Sequence, residues 1–453
     1  MDISVYHAFQ LFIDKLKKLF KNELVSKSVA AFAVKIIAAA AMFVLNVILA
    51  RKLGANDIGI FFLSVTIVTL VAVVSRLGLD NAVLKYISAY TSKNKHNRVS
   101  DVYFKANALV FLMSLILVFL FISNISIVNQ YLFDGDISVN DSLYLFVLSV
   151  IPVALITIQS ESLKGLKRIT ESVSIQSLLV PVFTIFLTLL FVDQYGLYGA
   201  ALSYLLGNFI TLVIALYIWN VHKVRSFNKI ETDKVEINQL LKVSMPMLWV
   251  AIFQVVNIWF STLALGVLAT NEDVGIYNLA ARTAALTSFI LVAVNSISAP
   301  KFSEMYENND SEGLERVAKG SALIATVMAT PVLCAFIIMP EYVMSIFGSE
   351  FKNGAIVLSI LAISQFINVC TGSVGYLLLM SGNEKKMRNN MFFCTAINIV
   401  LNILLIPELG IIGAALATAS VMVLQNVIAV IIAWRSLNII TLPINFSRYR
   451  TTG

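Results

Sequence analysis

The sequence predicts an all-α integral membrane protein with twelve transmembrane helices, arranged as two six-helix lobes around a central cleft. Three observations support this fold class. Of the 453 residues, 58% are hydrophobic and only 13% are charged, whereas about 25% of an ordinary soluble domain is charged. The chain contains many apolar runs of the length that crosses a bilayer, about 20 residues each. Finally, the second half of the chain repeats motifs of the first half.

Twelve apolar runs are long enough to span a membrane. They cover residues 28–50, 56–75, 103–123, 143–162, 172–192, 196–219, 241–266, 274–299, 320–339, 354–380, 389–406 and 410–434. The chain therefore divides into an amphipathic segment at 1–27, a first lobe at 28–219, a linker at 220–240, a second lobe at 241–434 and a tail at 435–453. The amphipathic segment alternates lysines with apolar residues, which predicts a helix lying in the cytoplasmic membrane interface.

The distribution of Lys and Arg predicts the orientation. Of the 33 such residues, all but five lie at the two termini or in the loops that follow even-numbered spans. The exceptions are Lys35, Arg51, Lys52, Arg282 and Lys352. Because positively charged loops stay in the cytoplasm, both termini of this multi-pass protein are predicted to be cytoplasmic.

The two halves share motifs in the same order. The matched pairs are Asp57-x-Gly59 with Asp273-x-Gly275, Lys85-Tyr86 with Lys301-Phe302, and Gly196-x-x-Gly199 with Gly410-x-x-Gly413. The separation is 216 residues for the first two pairs and 214 for the third. Six spans per unit is an even number, so both units enter the membrane from the same side. The repeat is therefore predicted to be parallel, with an axis along the membrane normal and a cleft between the lobes.

Two cations lie inside predicted spans. Arg282 lies eight residues after Val274, about 12 Å into its span at 1.5 Å per residue. Lys35 lies nearer the cytoplasmic surface, so it either faces the cleft or extends to the head groups. The repeat places Thr66 opposite Arg282 and Ala251 opposite Lys35. Since neither cation has a twin, we interpret both as candidate substrate-binding residues, with an interhelical pair as the alternative for Arg282.

Polar residues at helical spacing extend this candidate surface. They are Asn46 in span 1, Gln254 and Asn257 in span 7, Asn278 in span 8, and Gln365 and Asn368 in span 10. Interhelical hydrogen bonding explains such residues equally well. Three lysines at the cytoplasmic rim either attract the ligand first or only determine the topology; they are Lys85, Lys164 and Lys301. Because no Asp or Glu lies deep in a span, the cleft favours an anionic ligand such as a phosphate.

Several function classes are not indicated. There is no phosphate-binding glycine loop, no metal-ligand cluster and no cofactor motif, so no catalytic residue, metal or cofactor is predicted. The net charge of +7 lies in short loops, which indicates membrane topology and no nucleic-acid partner. Asp134 and Asp136 form an Asp-x-Asp pair that could hold a metal in a membrane glycosyltransferase, but an ordinary acidic turn is the simpler interpretation.

The chain resembles the polysaccharide-biosynthesis flippases, the O-antigen translocases of the multidrug/oligosaccharidyl-lipid/polysaccharide exporter superfamily. The resemblance runs from about Lys27 to Trp434. The residues that carry it are the stretches Gly78-Leu-Asp-Asn-Ala, Gly275-Ile-Tyr-Asn-Leu-Ala-Ala-Arg282 and Ala299-Pro-Lys-Phe-Ser303. It implies two lobes that form a V around a cationic cavity, and no enzymatic activity.

The resemblance implies a function in lipopolysaccharide or related polysaccharide synthesis at the bacterial inner membrane. A polyprenyl-pyrophosphate-linked oligosaccharide would move from the cytoplasmic to the outer leaflet by alternating access. Arg282 and Lys35 would hold the pyrophosphate and the polar stripes the sugars, while the polyprenyl tail stays in membrane lipid. Other polysaccharide assembly proteins are candidate partners. A MATE-like drug or metabolite exporter is the nearest alternative, and a membrane glycosyltransferase or polymerase is more distant. The sequence leaves the coupling ion open.

Overall fold

A computed structural model describes residues 23–133, 135–136, 139–222 and 235–442, and within these ranges the chain is helical with no strand. The helices of the first half are α1 (Glu23–Ser75), α2 (Leu79–Ser92), α3 (His96–Ser123), α4 (Ile125–Leu132), α5 (Asn140–Leu148), α6 (Val150–Gly165), α7 (Ile169–Val173) and α8 (Val180–His222). Those of the second half are α9 (Ile237–Leu268), α10 (Asn271–Ala284), α11 (Phe289–Glu307), α12 (Ser311–Ile338), α13 (Pro340–Ser345), α14 (Ala355–Cys370), α15 (Val374–Met380) and α16 (Glu384–Leu437).

Among the described residues, nine helical stretches are long and apolar enough to cross a membrane. Three of them, Ala30–Ser75, Ile169–His222 and Glu384–Leu437, contain 46, 54 and 54 residues. At 1.5 Å per residue they measure about 70 to 80 Å, more than twice the hydrocarbon core of about 30 Å. Each contains one glycine with non-helical backbone angles, at Gly54, Gly196 and Gly410 respectively. The helix direction can change at these glycines.

The repeat recurs in backbone conformation. Gly196 has φ 52° and ψ −129°, and Gly410 has φ 56° and ψ −132°. Three residues further on, a Cβ built on Gly199 would lie 2.5 Å from the Phe191 carbonyl oxygen, and one built on Gly413 would lie 2.2 Å from the Leu405 carbonyl oxygen. These paired positions are separated by the same 214 residues as the sequence motif. The two halves therefore turn in the same way at this point.

The two halves of the chain meet at the end of the helices that contains Gly54, here called the Gly54 end. The Arg51 Nε donates a 2.8 Å hydrogen bond to the Ile346 carbonyl oxygen. The rings of Phe43 and Phe347 pack edge to face, with 5.6 Å between their centroids. Contacts from the first half to the second thus close this end of the molecule.

The halves also meet at the opposite end, here called the lysine-rich end. The Asp101 carboxylate accepts a 2.8 Å hydrogen bond from the Val235 N–H, and the Lys105 ammonium donates a 2.7 Å bond to the Val235 carbonyl oxygen. A Cβ on Gly78 would lie 2.2 Å from the Ser244 carbonyl oxygen, so the backbones of α1–α2 and α9 are in direct contact. The beginning of α9 is therefore attached to the first half.

In the second half of the chain, the helices differ from the predicted spans at two places. The run predicted at 354–380 is divided between α14 and α15, because Gly372 adopts φ +67° and the helix stops at Cys370. The run predicted at 274–299 contains a 3-10 segment, Ala285–Ser288, directly after α10. The amphipathic segment before Glu23, linker residues 223–234 and tail residues 443–453 lie outside the described residues.

Candidate functional site

Arg282 lies in the last turn of α10, between side chains from two other helices. Its guanidinium carbon is 4.4 Å from the centre of the Phe62 ring on α1 and 5.6 Å from the centre of the Trp259 ring on α9. Both distances are within the range of a cation–π interaction, worth about 0.5 to 2 kcal/mol. Tyr204 on α8 is close enough to interact with the charge. Residues from both halves of the chain thus surround this arginine.

The hydrogen-bonding capacity of Arg282 is largely unused by the protein. A guanidinium carries five N–H donors in a planar fork. The Nε of Arg282 is buried without a partner, and no carboxylate of the described residues pairs with it. The side chain as a whole is only half-buried. Arg282 therefore presents donors suited to an oxyanion such as a phosphate, which a guanidinium binds with two parallel hydrogen bonds.

Predicted polar residues lie at a depth similar to that of Arg282. We measure the depth of each residue along its own helix, at 1.5 Å per residue, from the helix end that lies at the Gly54 end. By this measure the polar residues lie about 12 to 21 Å deep, and Arg282 lies about 17 Å deep. They are Asn46 on α1, Gln254 and Asn257 on α9, and Gln365 and Asn368 on α14. The last four have half-buried or exposed side chains that make no hydrogen bond within the described part of the chain. Their amides are available to a ligand.

Asn46 and Asn278, unlike the four residues above, are buried. Asn46 is 4% exposed, and its Oδ1 has no partner among the described residues. Asn278 is 3% exposed; its amide donates to the Val274 carbonyl oxygen at 2.9 Å, and its Oδ1 accepts a 3.2 Å bond from the Thr262 hydroxyl. Asn278 thus connects α10 to α9. This is the interhelical hydrogen bonding that the sequence left as the alternative.

Lys35 lies on α1, about 28 Å from the Gly54 end and roughly 10 Å nearer the lysine-rich end than Arg282. Its side chain is exposed, and it forms no ion pair with any described residue. The two unpaired cations are therefore at successive depths. An anion approaching from the lysine-rich end would reach the level of Lys35 before that of Arg282.

The three rim lysines have different surroundings. Lys85 on α2 and Lys301 on α11, which match in the repeat, are both exposed. Lys164 on α6 forms an ion pair with Glu161, with 2.5 Å between Nζ and Oε1. Lys164 therefore contributes less positive charge to this surface than the other two.

One residue of the Asp-x-Asp pair, Asp134, lies outside the described residues. The carbonyl oxygen of the other, Asp136, accepts a hydrogen bond from the Asn129 side chain.

Phe62 and Trp259, the two rings that flank Arg282, do not stand out in the sequence. Both lie in apolar runs that are helical in the structure. However, the pattern gives only the apolar face of each helix, and an aromatic ring on such a face is as typical of packing as of binding a cation. The sequence also does not show that spans 2 and 7 contact span 8 at Arg282.

Comparison with known proteins identifies the family. The sequence model of the family described as polysaccharide biosynthesis protein matches residues 24–306, more than half of the chain. The chain belongs to this family.

Curated relatives of the chain include the probable low-salt glycan biosynthesis flippase Agl15 of Haloferax volcanii. It is 26% identical over 400 residues, which cover 88% of this chain and 80% of that protein. Stage V sporulation protein B of Bacillus subtilis is 22% identical over 417 residues, covering 85% and 79%.

Solved structures show the same fold. An inward-facing multidrug-resistance MATE transporter of the MOP superfamily matches with a TM-score of 0.76 and 13% identity, over 91% of this chain and 98% of that one. The lipid II flippase MurJ in an inward closed conformation matches with a TM-score of 0.69 and 16% identity, over 90% and 87%. This member of the polysaccharide biosynthesis family is thus a multi-pass membrane protein that has the fold of these transporters.

Proposed function

We propose that this protein is a flippase for a lipid-linked glycan whose head carries a pyrophosphate, such as a polyprenyl-linked O-antigen unit or a similar oligosaccharide. The observation that carries the proposal is Arg282. It is a cation at mid-membrane depth, surrounded by residues of both halves, without a carboxylate partner among the described residues. The family, and relatives that are named as glycan flippases, support the same substrate class.

The proposed architecture has twelve spans in two lobes. Each of the three overlong helical stretches would contribute two spans, which separate at Gly54, Gly196 and Gly410. The lobes would comprise residues 28–219 and 241–434, joined by a linker at 220–240. The lysine-rich end would be cytoplasmic, with both termini on that side of the plasma membrane. In this arrangement the exposed Lys85 and Lys301 face the cytoplasm, where the substrate is loaded.

Translocation requires that the head group be protected from hydrocarbon. A pyrophosphate with sugars would lose hydration worth many kcal/mol if it crossed bare lipid. In the proposed mechanism the head group passes from Lys35 to Arg282, and the guanidinium provides fork-like hydrogen bonds to the pyrophosphate. The free amides of Gln254, Asn257 and Gln365 replace water around the sugars. The lipid tail remains in the bilayer.

Release to the outer leaflet requires the Gly54 end to open. The contacts that must break there include the Arg51 hydrogen bond to Ile346, the Phe43–Phe347 ring pair and the close packing of Gly59 against Gly275. The first two are small enough to re-form in each cycle: a net hydrogen bond is worth about 1 kcal/mol, and an aromatic pair about 0.5 to 1.5 kcal/mol beyond its burial. We propose alternating access in which the lobes rock between closure at this end and closure at the other.

Reconstitution tests the proposal. Purified protein in liposomes should move a fluorescent polyprenyl-pyrophosphate oligosaccharide between leaflets, measured by the fraction that a membrane-impermeant quencher reaches. Empty liposomes give the background rate. The MATE-like fold keeps drug export as the second candidate. Export of a cationic dye, together with no glycolipid movement above background, would select that function instead.

A further inference from the structure

A groove that adjoins the Arg282 site at Gln254 runs between the first half of α9 and the beginning of α16. Its walls are apolar: Trp249, Val250 and Phe253 from α9 face Met391 and Phe392 from α16, around a cavity of about 300 Å³. The Phe253 and Phe392 rings meet edge to face, with 5.2 Å between their centroids. Trp249 is 62% and Phe392 57% exposed, so the groove is open along one side.

The two ends of the groove are polar. At the lysine-rich end lie Arg388 and Asn389, and at the deeper end lie Gln254 and Thr395. Arg388 donates only to the neighbouring Asn389 side chain, at 3.3 Å, and pairs with no carboxylate of the described residues. From Arg388 to Thr395 the groove measures about 10 Å along α16. An unpaired cation thus stands at one end of an apolar channel.

This arrangement fits an amphiphile with one apolar chain and an anionic head. The head would lie at Arg388, at the depth of the lipid head groups, and the chain would extend towards the membrane centre. A cavity of 300 Å³ holds roughly ten groups the size of a water molecule or methylene, which corresponds to the first part of a single chain. The deep end reaches Gln254, and Trp259, which contacts Arg282, follows five residues later on the same helix.

We propose that the groove is the loading site for the polyprenyl phosphate part of the substrate. The chain lies between Trp249 and Phe392, and the phosphate binds Arg388. This inference rests on the proposed function and adds where the lipid is held before its head enters the cleft. Gln254 lines the deep end of the groove and is also one of the amides proposed to contact the sugars. This shared residue selects the substrate lipid over a bulk phospholipid as the occupant.

Photolabelling tests the loading site. The probe is a polyprenyl phosphate with a diazirine in its first isoprene units, added to the full chain in nanodiscs, and the labelled peptides are mapped by mass spectrometry. Labelling is expected at residues 249–254 and 388–395. Unlabelled polyprenyl phosphate should abolish it, and the same concentration of phosphatidylglycerol should leave it unchanged. Competition by phosphatidylglycerol equal to that by polyprenyl phosphate overturns the proposal.

Variants provide the second arm. Arg388→Gln and Phe392→Ala should each reduce labelling at these residues at least fivefold. Lys385→Gln, an exposed charge outside the groove at the same end, should not reduce it. Unchanged labelling of correctly folded Arg388→Gln and Phe392→Ala proteins contradicts the proposal. The liposome translocation assay separates the loading site from the proposed function. If wild-type protein is labelled in the groove but moves no glycolipid, the proposed function is refuted and the loading site is still supported.

Discussion

Gly59 and Gly275, which occupy matching positions in the two halves, face each other where the halves meet. A Cβ built on Gly59 would lie 3.0 Å from the Gly275 amide nitrogen, and one built on Gly275 would lie 3.1 Å from the Gly59 amide nitrogen. Each would also collide with a carbonyl oxygen of the other half, at 1.7 Å for Asn271 and 2.3 Å for Ala55. The contact is nearly symmetric, as expected for a repeat whose axis passes between the two glycines.

Substituting these glycines should destabilise the observed contact between halves. Because the Cβ would meet backbone atoms, Gly59→Ala and Gly275→Ala are each expected to cost about 1 to 3 kcal/mol. The matched control is Gly320→Ala on α12, where a Cβ meets nothing within 4 Å and the substitution should gain up to about 1 kcal/mol. Thermal unfolding in detergent measures the difference. Gly59→Ala protein as stable as Gly320→Ala protein would refute this close packing.

The glycines at the helix breaks give a second prediction. Gly196 and Gly410 have nearly the same positive φ, and a Cβ on either would meet nothing within 4 Å. The cost of an alanine is therefore backbone strain alone, about 1 to 3 kcal/mol, and it should be equal at the two positions. The two alanine variants should lower the unfolding temperature by similar amounts, and the double variant by their sum. A lower unfolding temperature for only one of the two single variants would show that the two turns are not equivalent.

The attachment of α9 to the first half gives a third prediction. Asp101→Ala removes the acceptor of the Val235 N–H and the carboxylate that pairs with Lys105 at 2.7 Å. Loss of a charged hydrogen bond of about 1.5 to 3 kcal/mol should speed amide hydrogen exchange at residues 235–240 by at least tenfold. Asp101→Asn, which keeps an acceptor, should change it less.

A matched control exists for this prediction. Lys319→Ala removes one partner of the 2.7 Å Lys319–Glu315 pair within α12. Such an i,i+4 pair is worth only about 0.2 to 0.5 kcal/mol, so exchange at residues 235–240 should not change. If Asp101→Ala leaves this exchange as slow as Lys319→Ala does, the hydrogen bond from the Val235 N–H to Asp101 does not hold the start of α9.

The rim lysines should contribute unequally to substrate capture. Lys85→Gln and Lys301→Gln remove exposed, unpaired charges and should slow glycolipid translocation at low salt, with less effect at 0.5 M salt because of screening. Lys164→Gln should have a smaller effect, since Glu161 already neutralises this ammonium. Translocation rates of the three variants, measured at low salt and at 0.5 M salt, test this order of effects. Equal effects of all three substitutions, or effects independent of salt, would exclude an electrostatic role.

Hydrophobic pattern and glycine position predict an all-helical membrane fold, and the structure confirms this fold class. The pattern predicts runs that coincide with the long helices, and the matched Gly196 and Gly410 motifs adopt matching conformations. The break at Gly372 was not predicted, because one glycine within an apolar run is also tolerated inside a helix. Local sequence cannot show whether that position takes a positive φ.

The site was predicted less completely. Arg282 could be singled out because a charge in an apolar run is costly and therefore rare. The contact of Asn278 with Thr262 depends on which helix faces join, and periodicity does not determine this. The Lys164–Glu161 pair lies within α6 at i,i+3 spacing, and that spacing in the sequence could have indicated it. The same limit applies to Arg388: in sequence it resembles a topology-determining charge, and only the apolar groove beside it suggests a ligand.

The most direct test of the account is the translocation rate of Arg282 variants in liposomes with equal amounts of folded protein. Arg282→Gln should reduce glycolipid movement at least tenfold, and Arg282→Lys should restore part of it, because lysine keeps the charge without the guanidinium fork. Arg316→Gln on α12 is the control outside the proposed cleft and should match wild type. Wild-type rates for Arg282→Gln would contradict the central claim that this arginine binds the substrate during translocation.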